Sequence, residues 1–182
     1  MSTIAKKYAT AIVELAHENN LTEIFHEQIQ QLHTIIQSSA LDEFLGAPQI
    51  SPVEKKAVIE KSLNSFHPYL VRFLFVCIDK KRTSQLLLIC EEILHQLDFA
   101  LNIKRGTVKS TRPMNDDQIK TLINALSTSL KSKVILTNIV DTTLIGGYKI
   151  EMEDSILDGS LRGQLDELRS YLNSERRMTH GT

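Results

Sequence analysis

The chain lacks any long apolar run: the longest uninterrupted one in its 182 residues is Phe73 to Ile78, far below the ~20 residues a helix needs to cross a bilayer. No spanning segment is expected. It also lacks a charge surplus, with 21 basic against 22 acidic side chains and a formal net charge of -1. That balance supplies no long-range field to steer the molecule onto nucleic acid or an anionic membrane. A tight partner must therefore be held by shape and apolar contact. Cysteine is scarce: Cys77 and Cys90 lie within apolar helical patterns rather than in a spaced ligand set, and a reducing cytoplasm suits both. Lys6 and Lys7 precede a stretch that Thr10 and Glu14 interrupt, so no secretory signal is expected, and Glu14 and Glu18 argue against an organelle transit peptide.

Glycine is nearly missing from the first part of the chain. Only Gly46 precedes residue 105, whereas Gly106, Gly146, Gly147, Gly159, Gly163 and Gly181 follow it. Before that change apolar residues recur at helical spacing; after it, β-branched runs and glycine turns stand between two helical stretches. With 42% apolar and 24% charged residues the composition is that of a folded globular protein. The expected class is α with a smaller α+β part: a helical bundle over residues 1–104, a mixed sheet and helix domain over 105–174, and a disordered tail over 175–182.

The bundle is expected to hold about six helices. The first spans Thr3 to His17. The second carries the stripe Leu21, Phe25, Ile29, Leu32 and Ile36, and a short third passes through Phe44 and Leu45 to Gly46 and Pro48. Ser51, Pro52 and Glu54 form a strong start signal, since Ser caps, Pro is tolerated at the first helical position and Glu reaches back to the cap. That fourth helix is expected to run to about Phe66. A fifth runs from Pro68 to Asp79, and a long sixth starts at Thr83 with Leu86, Cys90, Ile93, Leu97 and Ala100 on one face.

In the second domain Arg105 to Thr111 reads as a strand. Asn115 with Gln118 caps a helix carrying Ile119, Leu122, Ile123, Leu126 and Leu130. Val134 to Val140, Tyr148 to Glu151 and Ser155 to Leu157 read as further strands, with a bend or bulge at Gly146 and Gly147. A last helix is expected from Asp158 or Ser160, its seam formed by Leu161, Leu165, Leu168 and Leu172 at alternating three-and-four spacing. One helix cannot bury such a seam alone.

Two helices carry more apolar surface than one core requires. On the first, Ile4, Ala5, Tyr8, Ala9, Ala11, Ile12, Val13, Leu15 and Ala16 cover roughly 200° of the wheel, about twice the arc needed to face a single core. The arc divides into a stripe of Ala5, Ala9, Ile12, Val13 and Ala16, suited to a bundle interior, and a neighbouring face of Ile4, Tyr8, Ala11 and Leu15. On the fifth, the run from Leu70 to Ile78 is interrupted only by Arg72; such a helix is normally central. Full burial inside their own bundle is one explanation. A groove lined jointly by the two helices, open to a visiting amphipathic helix, is the other.

Three segments carry a family resemblance: KKYATAIVELA at Lys6 to Ala16, VRFLFVCIDKKR at Val71 to Arg82, and DTTLIGGYKI followed by SILDGSLRGQLDEL. In order and spacing, from Ile4 to about Leu172, they resemble the ATP synthase delta subunit family, known in mitochondria as the oligomycin-sensitivity-conferring protein. The resemblance implies a non-catalytic stator subunit of an F-type proton-translocating ATP synthase, without cofactor or metal, peripheral on the cytoplasmic side of a bacterial inner membrane. It implies that the helical domain takes the amino-terminal helix of the alpha subunit in a groove between the first and fifth helices. Carried over by position, Tyr8, Ala11, Ile12, Leu15, Phe73 and Val76 would line that groove. The carboxy-terminal ends of the b subunits of the peripheral stalk would engage the region from Leu144 to Leu172, with Leu161, Leu165, Leu168 and Leu172 as candidate contacts. One departure is the acidic stretch Glu151, Met152, Glu153 and Asp154, where relatives more often carry a basic residue and a glycine before the aspartate.

Other signals are bland. HEQIQ at His26 lacks the second histidine of a zinc-protease helix, Gly146 and Gly147 lack the Lys and Ser or Thr of a phosphate loop, and Ser160 beside Gly159 suits a helix cap better than a nucleophile. No catalytic residue is expected. Lys80, Lys81 and Arg82 complement the dipole of the helix they end. An alternative function, a helical RNA-binding or regulatory adaptor, would use these residues with Arg176 and Arg177 on phosphates, and would weaken steeply with salt.

Overall fold

The computed structural model describes residues 3–38, 41–152 and 155–160. The chain divides into two compact units, Met1–Leu101 and Asn102–Thr182.

The first unit is helical: α1 (Thr3–Glu18), α2 (Thr22–Ser38), α3 (Leu41–Gly46), α4 (Pro52–Ser62), α5 (Pro68–Asp79), a 3₁₀ turn at Thr83–Gln85, and α6 (Leu86–Ala100). Local chemistry sets most of these limits. At α4 the Ser51 side chain accepts from the Glu54 N–H while Glu54 accepts from the Ser51 N–H at 2.9 Å, closing a reciprocal cap ahead of Pro52. α1 and α5 both end in left-handed residues, Asn20 (φ 56) and Lys81 (φ 55). The N–H of Leu21 then reaches the Ala16 carbonyl, and that of Arg82 the Cys77 carbonyl, each at 2.8 Å. These six-to-one bonds satisfy carbonyls a helix end would leave free.

Two expected helix limits are corrected. α4 stops at Ser62 rather than Phe66, because Asn64 and Ser65 favour a turn over continued helix, yet Leu63 and Phe66 still enter the core. The sixth helix opens with the 3₁₀ turn at Thr83, and α-geometry begins only at Leu86.

The core of this unit is one cluster. α2 supplies Phe25, Ile29, Leu32 and Ile36; α5 supplies Leu70, Phe73, Leu74, Cys77 and Ile78; α6 supplies Leu86, Ile89, Cys90, Ile93 and Leu97. Each large side chain buried this way contributes about 1.5–3 kcal/mol. α6, not α5, takes the central place, with α1 and α2 both packed on it. The buried stripe of α1 is Ala5, Ala9, Ile12 and Ala16, and small side chains of this kind let two helix axes approach closely. Ala100, expected on the buried stripe of α6, is exposed at the last residue of the helix. Lys55 is buried, and its ammonium donates to the carbonyls of Leu45 at 2.7 Å and Ala47 at 2.8 Å, which ties α4 to the end of α3.

The second unit contains β1 (Ile103–Ser110), α7 (Asp116–Leu130), β2 (Lys133–Val140), β3 (Gly147–Met152) and β4 (Ile156–Ser160). The strand order is β2-β1-β3-β4: β2 runs parallel to β1, and the other pairs are antiparallel. The parallel pair needs a crossover, and α7 provides it, capped by a reciprocal Asn115–Gln118 box. Val108, Val134 and Ile150 meet Leu126 in a core that Leu122, Ile123, Leu136 and Met152 complete. On the opposite face Lys109 and Lys149 stand directly across from one another, both held by Glu151 at 2.7 and 3.3 Å. The like charges are thereby bridged.

Gly147 takes φ 78 as it enters β3, so the expected bend does depend on a glycine. The last helix does not begin at Asp158. Asp158, Gly159 and Ser160 are strand, paired with Lys149, Tyr148 and Gly147, because the extended ladder begun at Ile156 runs through the glycine. The seam Leu161, Leu165, Leu168 and Leu172, Glu153 and Asp154 of the acidic stretch, and the tail 175–182 lie outside the described residues.

Candidate functional site

The two helices singled out by their excess apolar surface touch through an aromatic pair. The ring of Tyr8 on α1 stands edge-on to the ring of Phe73 on α5, centroids 6.4 Å apart and planes at 63°. An edge-to-face aromatic pair of this kind contributes about 0.5–1.5 kcal/mol beyond the area it buries. Around it the wheel's two stripes separate except at Val13, which was expected inside and is only half-buried. Ala5, Ala9, Ile12 and Ala16 are enclosed, whereas Ile4, Tyr8 and Leu15 are half-buried and Ala11 is exposed. Ala11 and Leu15 lie three and seven residues beyond Tyr8, so all three share one face.

On α5 the core side is Leu70, Phe73, Leu74, Cys77 and Ile78. Val76, three residues past Phe73, remains 46% exposed. Of the six expected groove residues, Tyr8, Ala11, Leu15 and Val76 thus present free surface. Ile12 and Phe73 are enclosed at 7% and 5%; they support this seam from beneath and offer little area of their own.

The surroundings of the seam are polar and uneven. On the α4 side, Lys56 lies over the Phe75 ring at 5.6 Å and binds the Asp79 carboxylate at 2.7 Å. Arg72, one turn before Val76 on the same face, is exposed. His67 precedes α5, accepting weakly from the Tyr69 N–H at 3.4 Å, while its own N–H donates to Gln28 Oε1 at 2.7 Å. This anchors the start of α5 to α2. His67 was not expected as a cap, since His is not among the residues that favour that position.

The described residues assemble no set of three or more His, Cys, Asp or Glu side chains able to hold a metal ion. His26, the head of HEQIQ, instead bonds Asp98 Oδ1 at 2.7 Å in the bundle interior. Burial pushes the Cys77 thiol up to about 12 and that of Cys90 higher still, so neither supplies a thiolate at neutral pH. The chemistry available at the seam is apolar contact with a charged edge.

The family model for the ATP synthase delta (OSCP) subunit matches residues 4–172. The chain belongs to that family. A delta subunit of Gloeothece citriformis is 36% identical over 165 residues, covering 89% of this chain and 90% of its own length. One from Enterococcus hirae is 30% identical over 173 residues, with 94% and 96% covered, and one from Bacillus cereus is 29% identical over 175. A chain of the Toxoplasma gondii mitochondrial ATP synthase hexamer superposes with a TM-score of 0.70 over 94% of this chain and 98% of that one; at 19% identity it shares the fold. Family membership associates the chain with ATP synthesis, the ATP synthase complex and its stator. No helix among the described residues is long and apolar enough to cross a membrane.

In the second unit the stalk-facing candidates fall outside the described residues. Within the wider region from Leu144 onward, Ile145 and Ile156 are largely exposed and Leu157 is partly so.

Proposed function

We propose that the protein is a non-catalytic stator subunit which ties the catalytic head of an F-type ATP synthase to its peripheral stalk. The first unit receives the amphipathic amino-terminal helix of the alpha subunit along the seam between α1 and α5. The region from Leu144 to Leu172, with Leu161, Leu165, Leu168 and Leu172 as contacts, engages the carboxy-terminal ends of the b subunits. The complex holds the protein at the cytoplasmic side of a bacterial inner membrane through these partners. Its work is mechanical: tight apolar contact keeps torque from the rotating stalk from spinning the head.

The observation that carries this reading is the Tyr8–Phe73 contact with free apolar surface beside it, at Ala11, Leu15 and Val76. An amphipathic helix laid there covers a surface the fold leaves open, as in other helix-in-groove complexes. Ala11→Asp tests it. Placing a carboxylate in a desolvated contact should cost about 2 kcal/mol or more of binding to an alpha-subunit amino-terminal peptide, while the fold loses only the ~0.7 kcal/mol or less of helix propensity between Ala and Asp because Ala11 is exposed. Unchanged affinity in titration calorimetry removes the groove assignment.

A further inference from the structure

On the α5 side of the seam, one charged group has no ion pair among the described residues. Arg72 is the sole interruption of the apolar run Leu70 to Ile78, it is exposed, and it lies one turn before the exposed Val76. The other charge on α5, Asp79, is neutralised by Lys56 at 2.7 Å. Among the described residues Arg72 has no such ion pair, and its neighbours three and four positions away on the helix surface include Tyr69, Phe75 and Val76. A guanidinium at the edge of an apolar strip offers a planar fork of donors matched to a carboxylate. Its flexible stem can lie along the apolar surface while the head stays at the rim.

We infer that Arg72 sets the register of the helix seated between α1 and α5, by pairing with an Asp or Glu on that helix about one turn from the apolar anchor beside Val76. The inference rests on the helix-in-groove reading and names what the guest must carry: an apolar stripe with a carboxylate at its border. Apolar contacts alone allow a helix to slide or turn along a groove by one turn at little cost. One charge pair at the rim makes a single register preferable, and such pairs contribute to association rate and selectivity more than to affinity.

The experiment is a double-mutant cycle by calorimetry on the full chain. One peptide is the amino-terminal helix of the alpha subunit from the same organism. The second has each Asp and Glu replaced by Asn and Gln. At low salt the wild type should bind the acidic peptide up to about fivefold more tightly than the neutral one. Arg72→Gln should bind both equally, at the wild type's level for the neutral peptide, and high salt should erase the wild type's preference. An unaltered preference for the acidic peptide in Arg72→Gln overturns the role of Arg72 while leaving the groove intact. Failure of the wild type to bind either peptide overturns the groove reading and, with it, this inference. An unchanged thermal midpoint of Arg72→Gln shows that the bundle is undisturbed.

Discussion

His26 on α2 and Asp98 on α6, separated by 72 positions in sequence, are joined by a 2.7 Å hydrogen bond at 7% and 8% exposure. Both side chains are largely withdrawn from water, which therefore replaces the lost bond poorly. His26→Ala should therefore destabilise the first unit by about 1–3 kcal/mol, the cost of leaving a buried polar group without its bond. His33→Ala is the control, because His33 faces the half-exposed Glu91 at 3.5 Å and such pairs contribute about 0–1 kcal/mol. Urea midpoints of the two variants, compared with the wild type, decide the matter. Equal midpoints would deny the pair its structural role.

Gly106 lies at the middle of β1, between β2 and β3. A methyl group there would sit 3.0 Å from Met152 Cγ, 3.1 Å from the Glu151 carbonyl oxygen and 3.1 Å from Leu136 Cδ2. The carbonyl belongs to the paired ladder and cannot move aside cheaply. Gly106→Ala should cost about 1–3 kcal/mol by overpacking. At Gly46 a methyl group meets nothing within 4 Å, so Gly46→Ala should stay within about 1 kcal/mol of neutral, on the stabilising side. Thermal unfolding of the two variants distinguishes the positions.

The bridge across the open face of the sheet predicts an acid limb. Hydrogen bonds from Lys109, and then Lys149, hold the Glu151 carboxyl below its ordinary value of 4.5. A folded-state pKa below the unfolded one means stability that is fully present above the unfolded value and lost as pH falls through the folded value. Glu151→Gln removes that dependence. Stability measured from pH ~6 downward should fall more steeply for the wild type than for the variant, and the two should converge at the acid end. Parallel curves would show that the bridge does not couple to folding.

Cys77 and Cys90 are both enclosed in the bundle, and the Cys77 thiol is pushed up to about 12 by desolvation. At pH ~8 an aromatic disulfide reagent should label neither at an appreciable rate in the folded protein, and both rapidly in denaturant. Fast labelling of the native chain would mean that α5 opens from the core.

Legibility along the chain followed the range of the interactions involved. The caps at Ser51 and Asn115 depend on residues three positions apart, so they can be read locally. The stripe Phe25, Ile29, Leu32 and Ile36 depends only on helical period, and all four residues are buried. The central position of α6 was not legible, because α5 has the more continuous apolar run and hydrophobicity alone favours it. α6 gains the centre through its alanine-lined partner α1, and close helix approach depends on the pair rather than on either member. Arg72 could be noticed as an interruption, but its exposure beside Val76 depends on how α5 is rotated. The strand at Asp158 to Ser160 was masked by a glycine and a serine that read equally well as a turn and a cap.

The amino-acid sequence by itself determined the helical first part and the mixed second part, most element limits, the family, and the surplus of apolar surface on two helices. Those features arise from contacts within a few residues, or from patterns shared along nearly the whole chain. Only the tertiary structure decided which part of the surplus stays open: Ile12 and Phe73 go inward, while Ala11 and Val76 remain at the surface. The physical reason is that a helix's period states how wide its apolar arc is, whereas the neighbours that cover that arc arrive from dozens of residues away.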